Sequence, residues 1–393
     1  MNTSSIPVWQ SEMAPPKIRG FLVLFEGALI TGGVMISYWI NYGFWFYTKS
    51  SFQWRFPVAF QIFFGLVLIV GVLAFPESPR WLLKHGREEE AIKIMARLKE
   101  TSSDDDELQS DVKEMKRINA ISSGRKLTVK EFLTNGPDMN LWRASIAFLA
   151  QAFQQIGGIN LVTYYATVVF EDSLGFSPTF ARLLTGVLGT EYFLAALVAL
   201  FVVDRLGRRR LMMWNAAGMG FCMMVAGIGL SQTSSTNKSG AYAATVMIFL
   251  FNTFFALGWL GVTWLYPAEV TPIRIRAEAN GLSTSANWFF NYAVVQLSPI
   301  MINTISWRTY FVFMCTNFAF IPVVYFFFVE TNGYKLETMD SIFITAHEKG
   351  ENPVWVERRV RKGKDDEVSR RVEGDHGSDE MERRTVDETV KEG

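Results

Sequence analysis

The sequence predicts an all-α polytopic membrane protein with about eight transmembrane helices plus a cytosolic helical loop. Three observations carry that expectation. Apolar residues gather into eight long runs, at 21–46, 56–75, 144–170, 180–203, 211–230, 242–266, 279–302 and 309–329. Each covers roughly 30 Å of hydrocarbon at about 1.5 Å rise per residue, longer than most core helices of a soluble domain. Basic residues collect in every second connection, and a pattern of charged and apolar landmarks occurs twice along the chain.

The connections orient the runs. Lys17 and Arg19, the long segment 76–143, Arg205 to Arg210, Arg274 with Arg276, and the C-terminal tail all fall on one side, which the positive-inside rule makes cytoplasmic. The opposite connections, 47–55, 171–179, 231–241 and 303–308, are short and carry few bases. Asn237-Lys238-Ser239 is a glycosylation sequon on that outer side. Met1 to Gln10 lacks a basic start followed by an apolar core, so insertion is expected to rely on the spans themselves. Cys222 and Cys315 both lie in predicted spans, where they read as small packing residues.

The repeat sets the organisation. Glu12, Pro15, Lys17 and Arg19 match Glu269, Pro272, Arg274 and Arg276; Trp54-Arg55 matches Trp307-Arg308; Pro76-Glu77-Ser78 matches Val329-Glu330-Thr331. Landmarks in one order indicate duplicated halves. Four spans separate the large loop from Glu269 and none precedes Glu12, so the chain reads as N-terminally truncated, with four further spans expected upstream. The expected division is 1–79 as a remnant of an N-terminal transmembrane half, 80–141 as a cytosolic helical linker, 142–330 as a C-terminal transmembrane half, and 331–393 as a cytosolic, largely disordered tail.

Within the linker, the charged segments Glu88 to Lys99 and Leu108 to Ala120 predict helices on either side of Ser102-Ser103-Asp104-Asp105-Asp106, whose side chains favour a turn or a helix start. From about Lys349 the mixed charge, scarcity of apolar residues and lack of period predict disorder. Acids and bases balance at 38 each and no basic aromatic surface stands out, which excludes nucleic acid as a partner. His85, His347 and His376 lie in soluble segments; with no metal-ligand or nucleophile constellation, neither a cofactor nor an enzyme is expected.

These residues resemble a known family. Pro76-Glu77-Ser78-Pro79-Arg80-Trp81-Leu82, Gln154-Gln155 with Gly158, Asn160 and Tyr164-Tyr165, Asp204-Arg205 with Gly207-Arg208-Arg209, and Pro267-Ala268-Glu269 look like the sugar porter family of the major facilitator superfamily. Glu26-Gly27 and Ser37 to Gly43 look closest to its fungal branch. The resemblance covers almost the whole chain before the tail. It implies a major facilitator fold that starts near the end of the fourth helix and keeps the fifth to the twelfth.

It also implies transport of a sugar, in the first instance a monosaccharide, or a related polyol across the plasma membrane. Alternating access by proton symport or facilitated diffusion belongs to the complete protein; the chain by itself is expected to be inactive. Substrate, protons and the lipid bilayer are the implied partners. A sugar sensor or regulatory membrane protein, and a quinate or inositol transporter, are the alternative readings.

Physically, a sugar site in lipid needs matched donors and acceptors without net charge, which amides supply. By resemblance, Gln154, Gln155, Asn160 and Asn287 contact substrate, with Trp264 and Trp288 offering flat apolar faces to a pyranose. Gly157-Gly158 is expected to loosen the helix so that its amides approach one cavity. Tyr164 and Tyr165 fall at the family's outer gate. Glu12, Arg19, Glu77, Asp204, Arg208, Arg209, Glu269, Arg276 and Glu330 fall at the cytoplasmic gate, where paired charges can close and separate. Glu26 and Glu191 are acids within spans and candidate proton relays. The family's usual residues near Glu26 and Tyr192 are amides, so this chain departs from the family there.

Overall fold

The computed structural model describes residues 19–48, 50–106, 108–113, 115–116, 128–233, 238–272, 274–334 and 336–363, with the single positions Trp9 and Met13. Among them the secondary structure is helical throughout. The elements are α1 (Arg19–Trp45), α2 (Phe52–Ala74), α3 (Pro79–Lys84), α4 (Glu88–Lys99), α5 (Val129–Phe132), α6 (Asn140–Ile156), α7 (Ile159–Tyr164), α8 (Ala166–Val168), α9 (Pro178–Leu206), α10 (Arg208–Ser231), α11 (Ser239–Phe255), α12 (Val262–Val270), α13 (Arg276–Ile305), α14 (Arg308–Phe327), α15 (Leu336–Lys349) and α16 (Pro353–Arg361).

Every predicted span falls on helix. Five helical stretches are long and apolar enough by composition to cross a membrane: α2, α9, α10, α11 through α12, and α14. Of the other three, α13 is 30 residues long but carries a run of polar side chains, and the span predicted over 144–170 is divided into α6, α7 and α8. The third, α1, is an uninterrupted helix of 27 residues.

The division of the first of these has a local cause. Gly158 adopts φ +101°, a left-handed conformation that costs an L-residue free energy and glycine little. The break leaves the Gly157 carbonyl without an intrahelical partner, and Asn317 of α14 donates its Nδ2 to it at 2.8 Å. A second interruption is the π-helical turn Ala256–Leu260 between α11 and α12. Such turns free backbone groups that must find other partners, and in lipid only protein can provide them.

Packing is centred on α6, α9, α10, α11 and α12. Their buried faces are rich in small residues, including Ala147, Ala150, Ala181, Ala196, Ala216, Ala226 and Ala244, which let helix backbones approach closely. Closely packed pairs are α1 with α9, α10 with α11 and α14, and α6 with α13. By contrast α2 has no buried residue and presents Phe63, Leu66, Ile69, Val70 and Leu73 outward. That surface is stable against hydrocarbon and costly against water.

The linker forms a small helical unit. Ser78 caps α3 by accepting the Trp81 amide at 3.1 Å, with Pro79 at the first helical position. The α4 limits coincide with those predicted. Asp105 accepts the Leu108 amide at 3.0 Å, so the Ser-Asp run starts a helix as its chemistry suggests. Met95 and Ala96 pack on Leu108 and Val112 in a separate apolar cluster. Of the predicted helix 108–120, the described residues 108–113 are helical.

One expectation needs correction. The expectation is a largely disordered tail over 331–393, with disorder from about Lys349; within its described part, Leu336–Lys349 and Pro353–Arg361 form the helices α15 and α16, which pack on the core. Met339, Ile342, Phe343 and Ala346 of α15 join Val354 and Val356 of α16 in the main apolar cluster. Asn352 caps α16 by accepting the Val354 amide at 2.9 Å, and Pro353 opens it. Pro353, Val354 and Val356 are enough because they share the buried face, while Trp355 is exposed. Residues 364–393, including His376, lie outside the described residues, as do Glu12, Asn237 and the side chain of Arg19.

Candidate functional site

Gln151, Gln154 and Gln155 stand three and four residues apart on α6, a spacing that places side chains on one helical face. Asn287 and Asn291 do the same on α13. The α6–α13 contact brings the two rows together, and α7 adds Asn160 beyond the Gly158 break. Asn287 Nδ2 donates to Gln151 Oε1 at 2.5 Å and to Gln154 Oε1 at 2.6 Å. Asn160 Nδ2 donates to Gln155 Oε1 at 2.7 Å, and Asn291 Nδ2 reaches Gln155 Oε1 at 3.2 Å and Asn160 Oδ1 at 3.1 Å. Gln155 Nε2 closes the chain on Gln154 Oε1 at 3.3 Å. The four amides named from the sequence thus form one network. Gln151 and Asn291 belong to it and were missed, although their helical spacing from Gln154 and Asn287 was visible.

This network is tied to the π-helical turn. Gln154 Nε2 donates to the Trp259 and Leu260 carbonyls, both at 2.9 Å, and Gln151 Nε2 donates to the Thr263 carbonyl at 2.9 Å. The irregular backbone of one helix is satisfied by the polar face of another. Substrate hydroxyls can enter such a lattice because each both donates and accepts, so it can replace an amide–amide bond without leaving a buried group unpaired. Trp264 in α12 is partly buried, and Trp288 projects from the same turn of α13 as Asn287 with half of its surface exposed. Tyr165 donates its hydroxyl to the Val295 carbonyl at 3.0 Å, pinning α7 to α13, while Tyr164 is exposed.

At the opposite end of these helices the charged residues converge. Arg208 makes a bidentate contact with Glu269, Nε to Oε2 at 3.2 Å and Nη2 to Oε1 at 3.0 Å. Its Nη1 reaches Asp204 Oδ1 at 2.9 Å and Asn332 Oδ1 at 2.9 Å. Glu269 accepts a further bond from Thr331 Oγ1 at 2.6 Å. Glu330 takes a different role from the one expected of a gate carboxylate. It accepts the backbone amides of Arg208 at 2.8 Å and Arg209 at 3.2 Å, at the N-terminus of α10, where unpaired N–H groups and the helix dipole favour an anion. Arg209 turns away to the Val324 and Tyr325 carbonyls. Arg276 bonds the Thr271 carbonyl at 3.0 Å, and Glu77 is exposed before α3.

Arg143, which the sequence did not single out, is 1% exposed and joins the tail to this end of the bundle. It pairs with Asp340 at 2.7 Å, donates to the Met339 carbonyl at 3.2 Å and lies over the Phe343 ring. Burial lifts the Asp340 carboxyl above the usual carboxylate range, and Arg143 opposes that shift. Within the spans, Glu191 of α9 accepts a 2.5 Å bond from Thr253, whereas Glu26 lies on α1 with its Oε2 buried and without a hydrogen-bond partner. Cys222 and Cys315 are free thiols. Among the described residues no three His, Cys, Asp or Glu side chains group as a metal site.

Residues 1–343 match the family model described as Sugar (and other) transporter. The chain belongs to the sugar porter family of the major facilitator superfamily. Among its relatives are the sugar transporter STL1 of Saccharomyces cerevisiae, 39% identical over 92% of this chain and 63% of that protein, and a probable quinate permease of Aspergillus niger, 32% identical over 89% and 66%. The chain therefore spans about two thirds or less of the length of these relatives. Its fold matches the proton:xylose symporter XylE bound to 6-bromo-6-deoxy-D-glucose with a TM-score of 0.71 at 27% identity, over 87% of this chain and 70% of that one. Inward-open XylE of E. coli gives 0.64. The matched relatives are membrane transporters, and this family member is an integral membrane protein and not an enzyme.

Proposed function

We propose that the complete protein moves a monosaccharide or related polyol across the plasma membrane by alternating access, through proton symport or facilitated diffusion, with its tail in the cytoplasm. The observation that carries this reading is the uncharged amide lattice of Gln151, Gln154, Gln155, Asn160, Asn287 and Asn291 at a broken helix. It offers several donors and acceptors without burying an ion in lipid, which is what a polyhydroxylated neutral solute needs. The indoles of Trp264 and Trp288 would cover the C–H faces of the sugar. The Arg208–Glu269–Asp204 cluster serves as the cytoplasmic gate, and Tyr164 with Tyr165 as the outer one. The names of the relatives, a sugar transporter and a xylose symporter, agree with this substrate class.

Quinate is the second reading, favoured by the two quinate permeases among the relatives. Its ring hydroxyls suit the same amides, but its carboxylate would meet no guanidinium or ammonium within the lattice. The test is calorimetric titration of the chain in lipid nanodiscs with D-glucose, D-xylose, inositol and quinate. Saturable glucose or xylose binding that drops at least tenfold in Gln155→Leu supports the sugar reading. Binding of quinate alone supports the second, and heats indistinguishable from buffer for all four solutes would exclude both.

A further inference from the structure

A carboxyl group in the α9–α11 seam is left unused by the lattice and by the gate. Glu191 is half-buried on α9, in line with Val187, Leu194 and Val198, which are exposed on the outer face of the helix. Its Oε1 accepts the Thr253 hydroxyl of α11 at 2.5 Å. Its Oε2 is buried and has no hydrogen-bond partner. No basic side chain pairs with Glu191 among the described residues; the titratable group in its electrostatic reach is Tyr192, with Tyr38 of α1 and Tyr164 behind it. Tyr38 is held there by its packing against Gly189 and by donating its hydroxyl to the Thr163 carbonyl. On the same neighbours, Glu26 lies further along α1, Tyr242 is exposed at the start of α11, and Glu171 pairs with Arg182 at the other end of α9.

We propose that Glu191 is a proton-binding site, connected through Thr253 to the π-helical turn that carries the amide lattice. An ionised carboxylate with one buried, unpartnered oxygen and no counter-ion is expensive at hydrocarbon depth, whereas the neutral acid is not. The carboxylate takes a proton from hydronium onto Oε2, yielding the carboxylic acid and water, while Oε1 keeps its bond from Thr253. Release is the reverse step. The connection is short. The backbone carbonyls of Thr253 and Asn252 accept the Ala256 amide, which opens the π-helical turn, and that turn packs on α9 and offers the Trp259 and Leu260 carbonyls to Gln154. A change in the strength of the Thr253–Glu191 bond on protonation is therefore applied at the first residue of the turn.

The assignment deepens the transport reading, but its test uses no solute, so the two fail separately. Glu26 Oε2 is likewise buried without a hydrogen-bond partner, so infrared difference spectra of the chain in nanodiscs, recorded across a pH titration, are expected to show protonated carboxyl C=O absorption from which the Thr253-bonded component is lost in Glu191→Gln and retained in Glu26→Gln. In Thr253→Val that band is expected to move to higher frequency, because its carbonyl oxygen loses a donor. Should Glu191→Gln fail to fold, Glu191→Asp and Thr253→Val must each shift the band. Spectra that are unchanged by these substitutions overturn the proton site. Hydrogen exchange over residues 256–260, corrected for its intrinsic pH dependence, is expected to follow the same titration in the wild type and to be flat in Glu191→Gln. Exchange that ignores the titration overturns the connection to the turn.

Discussion

Glu330 accepts the backbone amide of Arg208 at 2.8 Å across 122 residues of chain, so the carboxylate that follows the last span caps the helix that forms the span three before it. Its second oxygen takes the Arg209 amide, and the residue between α9 and α10 is Gly207, at φ +87°. A Cβ added there would lie 2.6 Å from Glu330 Oε2. The cap, the turn and the residue that carries the Arg208–Glu269 ion pair are therefore one unit.

Gly207→Ala is expected to destabilise the chain by about 1–3 kcal/mol from the left-handed backbone alone, before the collision with Glu330 is counted. Glu330→Gln keeps an acceptor for one amide and loses the charge at the helix N-terminus; Glu330→Ala loses both and should melt lower. Thermal unfolding in detergent should rank the wild type above Glu330→Gln and Glu330→Gln above Glu330→Ala. Melting of both Glu330 variants at the wild-type temperature would show that the cap does not contribute.

Arg208 is buried with two carboxylates around its fork. Removing one member of such a pair leaves a buried charge, at a cost of about 3–5 kcal/mol. Arg208→Ala and Glu269→Ala should each fall in that range, and the double variant should cost clearly less than their sum. Arg208→Lys should not recover the wild-type melting temperature, since an ammonium cannot reproduce the bidentate contact. Additive losses in the double-variant cycle would argue against the pairing.

At the broken helix, Gly158→Ala must hold φ +101° and place its Cβ 2.9 Å from the Phe313 ring. Straightening the helix instead would withdraw Asn160 from Gln155. The variant should lose solute binding at least tenfold, and the added Phe313→Ala change should restore part of the folding yield by relieving the collision. Undiminished affinity in Gly158→Ala would mean that the break is not needed for the site.

The Arg143–Asp340 pair makes a pH prediction. A carboxyl held above its ordinary range in the folded protein binds its proton more tightly there than in the unfolded chain. Its contribution is then fully present below the unfolded pKa and is lost as pH rises through the folded one. Melting temperature should fall with rising pH across that mildly acidic window, and Asp340→Asn should flatten this component of the slope. Asp340→Asn should also lower stability at neutral pH, because it leaves Arg143 buried without its counter-charge. A slope identical in wild type and variant would remove Asp340 from the account.

Much was legible in one dimension because its physics is local or periodic. The eight runs fell on helices since a segment in lipid must satisfy its own backbone. The Asp105 start of the helix after α4 and the Gly157-Gly158 break followed from side-chain capping and glycine's access to positive φ, while the limits of α4 followed its run of charged residues. Gln154, Gln155, Asn160 and Asn287 were named by resemblance, and their mutual hydrogen bonds became visible only once α6 met α13. Other features had no local mark. Asn332 and Thr331 enter the charged cluster only because α14 returns to the start of α10. Arg143 reads as one more basic residue at a span end until Asp340, Met339 and Phe343 surround it. The order of α16 has no mark in the sequence because Val354 and Val356 are too few to form a pattern and count only when the bundle lies beneath them.

The sequence by itself determined the membrane class, the helix positions and the family, since hydrophobic length, charge asymmetry and motif order are properties of the chain read along itself. Only the tertiary structure decided which polar groups partner one another: Glu330 with backbone amides in place of a guanidinium, Gln154 with the π-helical carbonyls, Glu191 with Thr253. Those choices depend on which helix faces are brought within about 3 Å, the reach of a hydrogen bond. Residues far apart in the chain meet at that distance only when the whole bundle packs.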